Sequence, residues 1–113
     1  MAAFKAGAAI TDISPGPGIQ MTGYPPHTRE NRGIHDPLYA SALYLNDGSS
    51  GLLVICADVV YWDKVTVARA REEIGRQSGI ASERIMLSAT HTHSGPRIDA
   101  WLDQQDQRYG YKV

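Results

Sequence analysis

Apolar positions fall into short runs of different period along this 113-residue chain. Residues 3–10 (AFKAGAAI) are mostly small and apolar and read as a short strand. Residues 38–46 (LYASALYLN) follow strand alternation: Tyr39, Leu43 and Leu45 share one face, Ala42 and Tyr44 the other. Asp47-Gly48-Ser49-Ser50-Gly51 is a turn by composition. Residues 52–57 (LLVICA) are continuously apolar and stop at Asp58. A run apolar on both faces predicts a central strand of a sheet covered by helices.

The period then changes. Over residues 63–78, Val67, Ala70 and Ile74 make one inward stripe, with Lys64, Arg69, Arg71, Glu72, Glu73 and Arg76 largely solvated. Asp63 is placed to cap this helix, and Gly79 suits the left-handed position after it, with Ile80 as the accompanying apolar contact. Residues 84–90 (RIMLSAT) read as a further strand. Strand, helix and strand over residues 52–90 predict a βαβ unit with parallel strands and a right-handed crossover. Residues 98–108 predict a short helix capped by Asp99, and the tail from Tyr109 to Val113 has no readable pattern. The fold class expected is therefore α/β.

Residues 14–37 break the pattern. They hold all but one of the six prolines, together with Gly16, Gly18, Gly23 and Gly33. Proline removes a donor and glycine frees φ, so irregular structure is expected. A loop this long in a small domain is more often functional than inert.

Length allows one domain, and a chain this size buries roughly two thirds of its unfolded surface. The net charge of −1 gives no electrostatic footprint for nucleic acid or an anionic membrane. No stretch reaches the ~18 apolar residues of a membrane-spanning helix. The start has no signal-peptide pattern, so a cytoplasmic location is the default expectation. A single cysteine, Cys56, excludes an internal disulfide and a four-cysteine zinc site. Its place inside an apolar strand predicts a buried, inert thiol.

Chemistry concentrates at Leu87-Ser88-Ala89-Thr90-His91-Thr92-His93-Ser94-Gly95-Pro96. In an extended backbone His91 and His93 point to one side, so both imidazoles can approach one ion. Asp58 and His91 fall at the carboxyl ends of parallel strands, the edge where open α/β sheets place ligands. Bland readings stand beside these. Asp58 also suits a loop or helix cap. His35-Asp36-Pro37 also suits an ordinary turn, with Asp36 bonded to backbone. His27 reads as a solvated loop residue, and Trp62 and Trp101 as packing residues. Ser94 has no visible base–acid partners for a triad.

The segment LSATHTHSGP resembles the zinc-site motif of the neutral/alkaline non-lysosomal ceramidases, in their N-terminal catalytic domain. Four further segments match in order: AGAAITDISP, Met21-Thr22-Gly23-Tyr24, Gly33-Ile34-His35-Asp36-Pro37-Leu38-Tyr39-Ala40, and Leu53-Val54-Ile55-Cys56-Ala57-Asp58. The resemblance covers about residues 4–97 and implies zinc-dependent amide hydrolysis, with ceramide as the family's best-known substrate. It implies His91 as zinc ligand. It implies His93 as a second ligand or as a catalytic group holding substrate or water, and it places Asp58, His35 and Ser94 at the site edge. The family completes its zinc site with another His, a Glu and a Tyr from much later in a longer chain. Arg97 also stands where the family often has a small residue.

The expectation is therefore a single partial domain over residues 1–113, the N-terminal segment of a ceramidase-like hydrolase. Alone it is expected to be weakly active or inactive, with an amide or lipid-like small molecule as substrate. The alternative is a non-catalytic α/β fragment acting as an interaction or assembly module. An exposed sheet edge also favours a homo-oligomer. Two other His-x-His enzyme classes fit less well. The metallo-β-lactamase motif continues with Asp-His where this chain has Gly95-Pro96, and amidohydrolase barrels are far longer.

Overall fold

The computed structural model describes residues 3–24 and 29–99. His27, Trp101, the tail, and all but Ile98 and Asp99 of the predicted last helix lie outside the described residues.

The sheet has four strands: β1 (Lys5–Asp12), β3 (Tyr39–Asn46), β4 (Gly51–Ala57) and β5 (Ile85–Ala89), in the order β1-β3-β4-β5. β1 starts and ends two residues later than the small-residue run predicts. The alternating run becomes β3, antiparallel to β1 and β4. The turn between β3 and β4 closes on Asp47, whose carboxylate accepts from the backbone N–H of Ser49 and Ser50 at 2.9 and 2.8 Å. These bonds, with that of Ser50 first, pull its pKa down to about 2.

The continuous apolar run is the inner strand β4, and it pairs parallel to β5 through the helix α1 (Lys64–Ser78). α1 begins where Asp63 accepts from the Thr66 N–H at 2.8 Å. It ends at Gly79, whose φ of 75° lies in the left-handed region glycine enters freely. Val67, Ala70 and Ile74 are half-buried, as the stripe predicts. Arg71 Nε donates to the Ile85 carbonyl at 2.8 Å and ties the helix to β5. A 3₁₀ turn at Ser82–Arg84 leads into that strand.

The core gathers at the carboxyl ends of β4 and β5. Ala57, Val59 and Ile98 are buried, with Ile13, Ala40, Trp62 and Ala89 packed around them. Trp62 also donates from Nε1 to the Ser88 carbonyl at 2.9 Å, a packing residue with its polar end satisfied.

The expectation that β4 is covered on both sides needs correction. Ala8, Leu43, Val54 and Met86 pair across the sheet and share one face. On that face Leu43 is 43% exposed and Met86 49%, whereas Ala57 and Ile85 on the opposite face are 1% exposed. Among the described residues nothing covers the first face. Cys56 lies on it and is half-buried rather than buried for the same reason.

Residues 14–37 also hold more order than their composition predicts. Met21–Thr22 (β2) pairs antiparallel with Gly95–Pro96 (β6), and Gln20 bridges to Glu30. Gly18 N–H donates to the Asn31 carbonyl, Asn31 N–H to that of Ile19, and Met21 N–H to that of Arg29. Asn31 is buried, and its amide bonds the carbonyls of Pro15 and Gly16 at 2.9 and 3.1 Å. The prolines flank the stretch from Gly18 to Tyr24, leaving its N–H groups available. No helix among the described residues is long and apolar enough to cross a membrane.

Candidate functional site

Beyond β5 the chain leaves the strand path, and here the reason for expecting the two imidazoles together needs correction. His91 has φ 65°, a left-handed conformation that costs a non-glycine residue roughly 1–2 kcal/mol. Residues 91–94 form a reversal rather than an extended strand. The rings nonetheless converge: their centroids lie 4.9 Å apart with planes at 75°.

Two separate anchors produce that convergence. His91 donates its N–H to the Val59 carbonyl at 3.0 Å, and its Nδ1 lies 2.8 Å from the Val60 carbonyl oxygen. His93 places its Nδ1 2.8 Å from the Gly23 carbonyl oxygen. A carbonyl oxygen only accepts, so both Nδ1 atoms carry a proton, and in the neutral rings both Nε2 atoms keep a lone pair. A carbonyl fixing the far ring nitrogen is the usual orienting contact of a metal-binding histidine. His91 is exposed and His93 half-buried.

Gly23 makes the second anchor possible. A Cβ there would stand 2.7 Å from the Cα of His93, and φ is +110°. Only glycine allows the backbone this close to the imidazole. The Tyr24 and His93 rings then meet in a T-shaped pair, with centroids 5.4 Å apart. Arg29 lies over Tyr24 at 5.1 Å and donates from Nη2 to the carbonyls of His93, at 2.9 Å, and Thr22, at 3.4 Å. Its Nε is buried with no acceptor among the described residues. Leaving such a donor unmatched costs about 1–3 kcal/mol.

The other sequence candidates divide. Asp58 stands at the end of β4, but its carboxylate accepts from the Tyr39 N–H at 2.9 Å and so holds the start of β3. His35 is exposed, and its Nδ1 lies 2.9 Å from the Asp36 carboxylate. Asp36 thus meets a ring rather than the backbone that an ordinary turn predicts. Ser94 donates its N–H to Thr92 Oγ1 at 3.3 Å. His35 and Ser94 line the same open depression of about 560 Å³, together with Arg29 and Thr92. Among the described residues, no three His, Cys, Asp or Glu side chains meet as a metal-holding group.

Sequence reasoning missed Arg29 altogether, because its loop carries no periodicity and its partner His93 lies 64 residues on. Gly23 was visible in Met21-Thr22-Gly23-Tyr24, but not its contact.

No family model matches the chain, and no curated protein matches it in sequence. Solved structures do match. Neutral ceramidase from Pseudomonas aeruginosa is similar at a TM-score of 0.75 and 25% identity, over 86% of this chain and 16% of that one. A ceramidase complexed with C2 is similar at the same values. The chain is folded like a part of a neutral ceramidase, and it spans 16% of the length of these solved chains.

Proposed function

We propose that this chain supplies the histidine part of a zinc-dependent amide-hydrolase site of neutral-ceramidase type, acting on an amide of lipid-like character. The observation that carries the reading is the pair of imidazoles with centroids 4.9 Å apart, each fixed at Nδ1 by a backbone carbonyl. It gains weight from the shared fold with neutral ceramidase.

The donor set fits zinc in kind, since neutral imidazole nitrogen is a standard ligand. Zinc held there would supply Lewis-acid chemistry, lowering the pKa of water to about 7 and polarising an amide carbonyl. His91 offers Nε2 as a ligand. His93 offers its own Nε2 as a second ligand, or as the base that takes a proton from water and returns it to the leaving amine. Gly23 keeps that nitrogen bare by holding the proton on Nδ1. Asp58 orients the sheet edge through Tyr39. Further ligands must come from residues beyond this pair.

Zinc titration of the purified chain, with His91→Ala and His93→Ala, tests the proposal. One zinc should bind per chain, and His91→Ala should weaken it at least tenfold. If His93 is a ligand, its replacement weakens zinc too; if it carries the proton, zinc stays and turnover of an amide substrate falls. Absence of binding, or binding indifferent to both changes, overturns the reading.

A second reading, a non-catalytic assembly module, is favoured by the bare apolar face of the sheet. It predicts self-association in sedimentation that is unchanged by chelator and by both histidine substitutions.

A further inference from the structure

We infer that Arg29 is a positioning residue for His93, selecting the ring tautomer through the main chain. Its meaning for catalysis rests on the zinc-hydrolase reading; its geometry does not. The two-residue β2–β6 ribbon holds the His93 turn against Gly23. A pairing this short is not stable by itself. Arg29 reinforces it from both sides. Its carbonyl receives the Met21 N–H at 2.7 Å, and its Nη2 reaches the carbonyls of Thr22 and His93, one on each side of the ribbon.

The side chain also reaches the His93 ring. The guanidinium lies over Tyr24, and the Tyr24 ring meets the imidazole in a T-shaped pair. Main chain and ring of His93 are thus both located by reference to Arg29. Nη2 bonds both carbonyls while the planar guanidinium lies over the Tyr24 ring, a stacked arrangement that a lysine ammonium does not reproduce. Among the described residues its buried Nε has no acceptor, so holding the guanidinium here carries a desolvation cost.

His91 supplies an internal control. It is held by Val59 and Val60, at the end of β4, with no bond to Arg29. Loss of Arg29 should therefore release His93 and leave His91 as it was.

Histidine ¹⁵N spectra, recorded at alkaline pH where imidazole is neutral, read the tautomer of each ring. In the unmodified chain both rings should carry the proton on Nδ1. In Arg29→Met, His93 should move to a mixture of tautomers while His91 keeps its form. Zinc affinity should fall about tenfold, as when the support of a ligand is removed. Arg29→Lys retains the charge and a donor nitrogen but not the planar guanidinium, and should restore the His93 signature in part. Arg32→Met, in the same loop, should change neither ring.

If Arg29→Met does not fold, Arg29→Lys carries the test, with a partial shift confined to His93. The inference is overturned if His93 keeps its tautomer in a folded Arg29 variant, or if both rings shift together. Failure of the unmodified chain to bind zinc counts against the hydrolase reading only, because the tautomer measurement needs no metal.

Discussion

At the scale of single residues, the site depends on an atom that is missing. Gly23 lets its carbonyl reach His93 because it has no Cβ, and its φ of +110° suits no other residue. Gly23→Ala should lower stability by about 1–3 kcal/mol, the usual cost of strained backbone, and should free the His93 ring. Urea unfolding measures the first effect, and the weakening of zinc binding the second. His91 and His93 stand out in the sequence by spacing alone. What orients them does not, because the carbonyls of Gly23 and Val60 and the side chain of Arg29 lie far away in the chain. The strand-alternation argument expected the two rings on one side; they do converge, but through the left-handed turn at His91 rather than an extended strand.

Among the elements, α1 follows its sequence signals closely. Asp63 caps it, and the Thr66 hydroxyl and then the Thr66 N–H lower the pKa of Asp63 below the ordinary carboxylate value. A lowered folded pKa means that this contribution is complete above the unfolded value of ~3.9 and is lost as pH falls through the folded value. Asp63→Ala should therefore cost about 1 kcal/mol near neutral pH. The gap between the two proteins should close in acid, as urea unfolding at the two pH values would show. β3, β4 and β5 were legible because each is long enough to declare a period. β2 and β6 were not, since two residues have none. They pair because the flanking prolines spare the N–H groups of β2 and the reversal at His93 brings the two segments together.

For the molecule as a whole, the sheet is one-sided. Ile85 is 1% exposed on the helix side, and Ile85→Ala should cost about 3 kcal/mol. Leu43→Lys, on the bare face, should change stability by about 0.5 kcal/mol or less and raise solubility. Paired denaturation curves check both. The α/β class and the parallel βαβ unit were legible from the change of period between residues 52 and 90. The bare face was not, because an apolar run records which residues seek cover and not what covers them.

The anchor between Gly23 and His93 joins residues 70 positions apart. Closing so long a loop is entropically uphill, so it follows the more local pairing of β3 with β4. The two histidines are therefore brought together late in folding. The same short ribbon can open before the sheet does. The contact at this turn arrives last and leaves first, and an ion held there would report how complete the fold is.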